Sequence, residues 1–499
     1  MRAFVLILSF VASIVHCGIV KRGNNLQFSD SVFHLSNKLF NSLVENDDYD
    51  SNVVLSPMSI HFALSMLQRG AHGTTKQKIR NFMNLNEELE DVDIDTANRI
   101  LLKTYASKAK QFNESVELAN LLVVDEELDI NEIFVKKLEE FYFSNIKEVD
   151  FSQPEESARL INNWVANKTE NLIKEFLSPD AISDDSRLVL LNAIYFKANW
   201  MKSFNKFDTY SQVFNINQEK QLNVDMMNQQ ETFSFAENDK LDCQVLDMPY
   251  EDENFSMLIF LPNQSGSEPL NRIIKNLEYR DITRTLKDMK EKVMSVSLPK
   301  FTVGYKSQLR DTLMTLGMTH VFENADFSGI AQEYLEANDF LHEAKVEVYE
   351  SGSEASGVTG ISLGIRSGVS AKEFNANRPF VFMIIDKESE VPLFVGKIVH
   401  PTESTKSSPL GVEIGVRQND PESLLDPEDR SHMEKNPELF VKQQTVNCTP
   451  IENYINSEMV KFPCPPNDTR PIEDYHRKFG DASELGINGE LADLKGIKH

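Results

Sequence analysis

Residues 351–373 read SGSEASGVTGISLGIRSGVSAKE, with five glycines, six serines and no helical face. The segment lies between a strand-like run ending at Glu350 and another entered at Phe374. A connection this long inside a dense fold is either a functional loop or a flexible surface insertion. Its residues nevertheless keep a period of two. Counting back from Leu363, one set is Leu363, Ile361, Thr359, Gly357, Ala355 and Ser353, and the other is Gly364, Ser362, Gly360, Val358, Ser356 and Glu354. The first set is small or apolar and uncharged, and the one charge falls on Glu354 in the second. That is the pattern of a strand with one buried face, written in residues that tolerate an exposed loop. A segment able to be either loop or central strand predicts a bistable element.

Outward from this segment, helical and strand patterns alternate from about Leu26 to Pro401 without a linker. Ser31 to Val44, Ser59 to Leu67 and Ser157 to Phe176 carry apolar residues at helical spacing. Pro57, after Ser56, suits the start of the second. Strand-like runs cover Ser186 to Phe196, Phe255 to Leu261, Lys292 to Leu298, Phe380 to Ile385 and Leu393 to Val399. Helices mixed with mostly consecutive strands predict an α+β fold, and there is no internal repeat.

The chain has 499 residues, 51 Lys+Arg against 77 Asp+Glu, a net charge of −26, 41% hydrophobic residues and 26% charged ones. This is a soluble globular composition, long enough for about three domains. The acidic balance counts against a nucleic-acid footprint. Residues 1–17, MRAFVLILSFVASIVHC, have the charged start, apolar run and small-residue end of a secretory signal peptide, the competing reading being a buried helix or membrane anchor. The run is short for a bilayer span and no later stretch reaches that length, so no membrane contact and a secreted, extracellular protein are expected. The final residues are not a Lys-Asp-Glu-Leu retention signal.

Past Pro401 the composition changes. Residues 402–499 hold 11 Lys+Arg, 18 Asp+Glu and nine prolines, with weak apolar periodicity. A mostly disordered or loosely folded acidic extension is expected over 404–499, with a small separate domain as the minority reading. Cys448 and Cys464 are neighbours there, and an oxidising compartment favours a disulfide between them. Cys243 reads as a lone buried thiol. Six Asn-x-Ser/Thr sequons, at Asn113, Asn167, Asn254, Asn263, Asn447 and Asn467, fit an exported glycoprotein.

Catalytic and metal signatures are missing where they would be looked for. The ten histidines include no pair three or four residues apart, and the glycine-rich segment has no Gly-Lys-Ser/Thr. No cofactor and no metal are implied, and catalysis is not expected.

Seven separated motifs resemble the serpin family, over about residues 28–401. Asn52-Val53-Val54-Leu55-Ser56-Pro57-Met58-Ser59-Ile60 is similar to the start of its helix B, and Gly70-Ala71-His72-Gly73-Thr74-Thr75 to the following turn. Ile161-Asn162-Asn163-Trp164-Val165 with Thr169 resembles helix F. Leu191-Asn192-Ala193-Ile194-Tyr195-Phe196-Lys197, with Trp200 and Phe204, resembles strand 3A and its exit. Ser297-Leu298-Pro299-Lys300-Phe301, Asn377-Arg378-Pro379-Phe380 and Pro392-Leu393-Phe394-Val395-Gly396-Lys397 complete the set.

The resemblance implies one large domain, here 18–403, of three β-sheets and eight or nine helices with an exposed reactive-centre loop. Glu350 to Arg378 occupies the loop's position. Its hinge corresponds to Glu350, Ser351, Gly352, Ser353, Glu354, Ala355, Ser356, Gly357, Val358 and Thr359, and the family's spacing puts the scissile bond between Arg366 and Ser367. The implied function is suicide inhibition of a trypsin-like serine protease. The protease attacks Arg366, the freed loop inserts into the main sheet, and the covalent complex is trapped. Arg366 is the one basic residue from Ser351 to Ser370 and matches a pocket that reads a long cation. A shifted register would put cleavage at Leu363 or Ile365.

Insertion needs inward residues that are small and uncharged, which Ser353, Ala355, Gly357 and Thr359 are. Ser56, Asn192 and His342 resemble the cluster that controls sheet opening, and Trp200 the aromatic where the loop first inserts. Arg99, Lys103, Lys108 and Lys110 fall on the family's glycosaminoglycan-binding helix, although Glu114, Glu117 and the net charge oppose such a partner. A monomer is expected. The alternative is a non-inhibitory serpin acting as a carrier or binding protein.

Overall fold

Apolar residues at helical spacing make the first helix, α1 over 27–46, which buries Val32, Phe33, Leu35, Leu39 and Phe40. The other helices are α2 Pro57–Gly70, α3 Gly73–Phe82, α4 Asp91–Phe112, α5 Glu132–Tyr142, α6 Pro154–Lys168, α7 Ser267–Lys275, α8 Tyr279–Asp288, α9 Arg310–Leu313 and α10 Thr319–Phe322. The strands up to the middle of the chain are β1 Val53–Leu55, β2 Ser115–Asp125, β3 Ile146–Val149, β4 Leu188–Lys197, β5 Thr209–Asn215, β6 Gln221–Asn238, β7 Cys243–Pro249 and β8 Phe255–Pro262. Then follow β9 Lys290–Pro299, β10 Phe301–Gln308, β11 Asp339–Val348, β12 Lys372–Asn375, β13 Phe380–Asp386, β14 Val391–Ile398, β15 Glu452–Ile455 and β16 Glu458–Lys461. This computed structural model describes residues 27–46, 50–112, 115–183, 185–352, 371–402, 452–455 and 458–461.

The fold is α+β. Among the described residues the first compact unit, Met1–Gly411, holds two hydrogen-bonded sheets. One has five strands in the order β10-β11-β4-β2-β3. The other has nine, in the order β1-β14-β13-β8-β7-β6-β9-β12, with β5 added on β6. The expected three sheets become two because β6 is 18 residues long. Its residues 226–235 pair with β9 while 234–238 pair with β7, so one strand joins what would be two separate sheets. The second unit, Val412–His499, contains the antiparallel hairpin of β15 and β16.

Ser56 starts α2 by accepting the Ser59 N–H on its side chain at 3.2 Å, and Pro57 supplies a first residue that needs no amide partner. The helix is buried almost all round, because it packs against β2 and β4 of the five-stranded sheet and against β14 of the nine-stranded one. Helix α6 is amphipathic instead. It buries Ser157, Ala158, Ile161 and Val165, and with Leu121, Leu191 and Leu341 forms a second, smaller core on the sheet's other face.

The helical pattern expected to continue to Phe176 stops at Lys168. The Thr169 hydroxyl donates to the Val165 carbonyl, and Glu170 and Asn171 take φ of 50° and 63°. Left-handed residues cannot extend a helix, so Leu172 and Phe176 belong to the returning loop.

Candidate functional site

The centre of the five-stranded sheet is a parallel seam. β4 and β11 pair directly through eight rungs, from Val189 with Asp339 to Phe196 with Val346. Parallel pairing of this kind is slightly weaker per residue than the antiparallel ladders on either side of it. Asn192 and His342 are partners in that register. The Asn192 side-chain oxygen meets His342 Nδ1, and His342 Nε2 accepts the Ser56 N–H at 3.2 Å. With Nε2 an acceptor, the proton sits on Nδ1 and is donated to Asn192. Burial lowers the His342 pKa to about 3, so the ring is neutral.

Asn192 Nδ2 donates to Ser59 Oγ at 2.5 Å and to Asn120 Oδ1, and Ser59 Oγ donates to Asn120 at 3.2 Å. The start of α2 is thus stapled to three adjacent strands, β11, β4 and β2. Ser59 and Asn120 belong to this cluster, yet nothing was expected of them. The signals were there: Ser59 stands three residues after an N-cap serine, and Asn120 is the one polar residue in the apolar run from Leu118 to Val124.

Where β4 and β11 end, the start of the loop is pinned. The Trp200 indole donates to the Tyr349 carbonyl at 3.0 Å and stacks on Tyr250 with centroids 4.5 Å apart. The Trp200 and Phe204 amides donate to the Ser351 and Glu350 carbonyls, each at 2.8 Å. Glu350 is buried beside Lys300, 3.2 Å away. Burial pushes its pKa up, but a backbone hydrogen bond and Lys300 more than offset this and hold it below the usual range. Gly352 has φ of 142°, and a Cβ there would come within 2.2 Å of the Ala198 carbonyl oxygen. Only glycine fits this position.

Ser56, Asn192 and His342 therefore meet, and Trp200 sits at the far end of the same seam, with Glu350 and Gly352. Ser353, Glu354, Ala355, Ser356, Gly357, Val358, Thr359, Arg366 and Ser367 lie outside the described residues, as do Cys448, Cys464, Asn113, Asn447, Asn467 and the segment 1–26. So does Gly360-Ile361-Ser362-Leu363-Gly364, which spells the G-x-S-x-G string of a nucleophile elbow. The expectation that the glycine-rich segment lacks this string is thereby corrected, and the string makes a nucleophile elbow only where a strand precedes it and a helix follows.

Of the described sequons, Asn167 is exposed, and Asn263 is exposed with its amide on Asp242 at 2.8 Å. Asn254 is half-buried against Asp252, and its partner Ser256 is fully buried. Cys243 is a buried free thiol whose pKa burial pushes up to about 12.

Among the described side chains of α4, the cations do not share one open face. Lys108 turns inward to Asp252 at 3.2 Å and the Phe255 ring at 4.3 Å. Arg99 pairs with Glu140 at 3.4 Å and lies over Phe141. Lys103 is exposed, and the Lys110 side chain lies outside the described residues. A cavity of about 290 Å³ lies elsewhere, lined by Asn41, Val44 and Glu45 of α1, Asn271, Ile274 and Lys275 of α7, and Lys397. Among the described residues no helix is long and apolar enough to cross a membrane.

The seam, the pinned hinge and the loop that leaves it have clear relatives. A family model described as Serpin (serine protease inhibitor) matches residues 30–401. An uncharacterized serpin-like protein of Thermococcus kodakarensis is 35% identical over 390 residues, covering 77% of this chain and 88% of the relative. Serpin48 of the insect Tenebrio molitor, a solved structure, matches with a TM-score of 0.68 at 27% identity over 76% of this chain and 99% of its own. Human thyroxine-binding globulin, solved with thyroxine, shares the fold with a TM-score of 0.70 at 24% identity over 76% of this chain and 100% of its own. Members of the matched family act generally as inhibitors that form complexes with serine proteases, rather than as catalysts. On this sequence and architecture, the chain belongs to the serpin family.

Proposed function

We propose that this chain is a secreted suicide-substrate inhibitor of trypsin-like serine proteases, cleaved between Arg366 and Ser367. The observation that carries the reading is the directly paired β4–β11 seam, with the loop's origin at Gly352 lying at its end. A seam closed by eight parallel rungs and one side-chain staple can accept a strand between its halves. The residues that follow Gly352 alternate small, uncharged side chains with outward ones, so the inserted strand would bury no charge. Cleavage frees the loop to insert, and the enzyme's acyl bond to Arg366 moves with it before water can resolve the ester.

Export is supported by the leader-like pattern of residues 1–17. A disulfide between Cys448 and Cys464 is supported by the four-rung hairpin of β15 and β16 lying between them in sequence. Asn167 and Asn263 are the described sequons with exposed asparagines, and glycans are proposed there first.

A carrier role is the second reading, and the cavity between α1 and α7 is the observation that favours it. Mixing the protein with trypsin and running a denaturing gel separates the two. Inhibition predicts a boiling-resistant band at the summed mass and a released peptide beginning at Ser367. Clean cleavage without that band refutes trapping and moves the carrier reading ahead.

A further inference from the structure

Folded chains bury much of the tyrosine ring while its hydroxyl finds a polar partner. Tyr105, Tyr142, Tyr195 and Tyr250 are buried in this way, and Tyr279, Tyr305 and Tyr349 are half-buried. Tyr334 departs from the pattern. It is 66% exposed, the most among the described tyrosine side chains. It stands in the irregular segment between α10 and β11, and that segment is anchored on both sides of it. Ala331, Leu335 and Ala337 are buried, Ala331 bridges to Ile130, and the Ala337 amide donates to the Val321 carbonyl at 3.0 Å. The ring is held out in solvent by an anchored loop, not by a fraying end.

Its surroundings are acidic. The local sequence is Gln332-Glu333-Tyr334-Leu335-Glu336. Glu333 is exposed, and the phenol donates to Glu336 Oε2 at 2.7 Å. That hydrogen bond raises the phenol's pKa, so the proton stays on oxygen until a base removes it. Tyr210, next in exposure at 38%, lies inside β5 with its backbone paired to β6, and no carboxylate follows it in the strand. An enzyme that transfers a sulfuryl group must hold an anionic donor in a basic cleft, and the field of such a cleft also draws acidic peptide. An exposed phenol between two glutamates is the acceptor that suits it.

We propose that Tyr334 is a tyrosine O-sulfation site, modified during export by a sulfotransferase that uses phosphoadenylyl sulfate. In the transfer the phenol oxygen forms a bond to sulfur and the donor's bond from sulfur to the phosphate oxygen breaks. The adenosine bisphosphate leaves, and the phenol proton passes to a base on the transferase. The site rests on the reading that the chain is exported, since the export route is where donor and chain would meet. The product would set a sulfate ester beside Glu333 and Glu336, a compact anion suited to an arginine-rich partner surface.

The purified full chain is incubated with a tyrosylprotein sulfotransferase and phosphoadenylyl sulfate, then digested with trypsin. The peptide 311–345 contains Tyr334 as its one tyrosine. It is expected to gain the mass of one sulfuryl group, resistant to phosphatase, and Tyr334→Phe is expected to abolish the gain. Tyr49 and Tyr475 also have acidic neighbours but lie outside the described residues, and their peptides report separately. An unmodified 311–345 peptide, or a group on those two tyrosines alone, overturns the site. Export is read apart, in secretory cells grown with and without chlorate, which starves them of the donor. Protein in the medium with a chlorate-sensitive group on 311–345 supports both readings. Protein in the medium that lacks the group, or carries a phosphatase-sensitive one, overturns the site and leaves export standing. A chain that stays inside the cell removes export and the site's use together, whatever the purified transferase does.

Discussion

His342 has both ring nitrogens engaged and its charge suppressed, which ties the seam to pH. In the unfolded chain a histidine titrates near 6.5, whereas burial holds His342 and His61 at about 3. Between those values the unfolded chain binds protons that the folded one refuses. Stability from these residues is therefore complete above about pH 6.5 and is lost as pH falls toward 3. At pH 5 the loss is about 2 kcal/mol for each histidine. Urea midpoints should fall between pH 7.5 and 5, and His342→Gln should flatten that dependence. A midpoint equally pH-dependent in the variant would contradict the assignment.

Gly352 makes a second residue-scale prediction. Gly352→Ala must strain φ and move the Ala198 carbonyl, at a cost of about 1–3 kcal/mol. A lowered thermal midpoint, with altered Trp200 fluorescence, is the expected readout.

At the scale of elements, what matters is which face of the inserted strand a side chain occupies. On the proposed insertion, Ala355→Arg would bury a charge on the inward face and should convert trapping into turnover, with the covalent fraction on a gel falling at least about tenfold. Ser356→Arg, one residue on, would point outward in the proposed strand and should keep most of the complex. Equal effects would refute the alternation. Asn192→Ala leaves His342, Ser59 and Asn120 without their shared partner and weakens the seam. The variant should take up a synthetic peptide copying residues 353–363 faster than the wild type, as followed by native gel shift.

On the proposed mechanism, the intact chain holds pairing in reserve. An intact chain has the five-stranded sheet with β4 beside β11, and insertion would add a sixth strand with a ladder on each side. Cleaved protein should therefore melt at a higher temperature than intact protein in calorimetry, an order reversed from ordinary nicking. Equal or lower midpoints would mean that the loop stays out.

The major strands, the α+β class and the family motifs were legible in the sequence, because each depends on residues close together along the chain. Local periodicity also overran its element, as at α6, where Thr169 and two left-handed residues end a helix that the apolar pattern continues. Tertiary structure alone decided which distant groups meet. It carried Ser56, Ser59, Asn120, Asn192 and His342 to one point, because strand register and not sequence distance sets those contacts. It also turned Lys108 inward, since the helix end packs against the Asp252 carboxylate and the Phe255 ring. It left β5 at an edge, with β6 as its one strand neighbour among the described residues. An edge exists only once the other strands have taken their places, and no local pattern announces it.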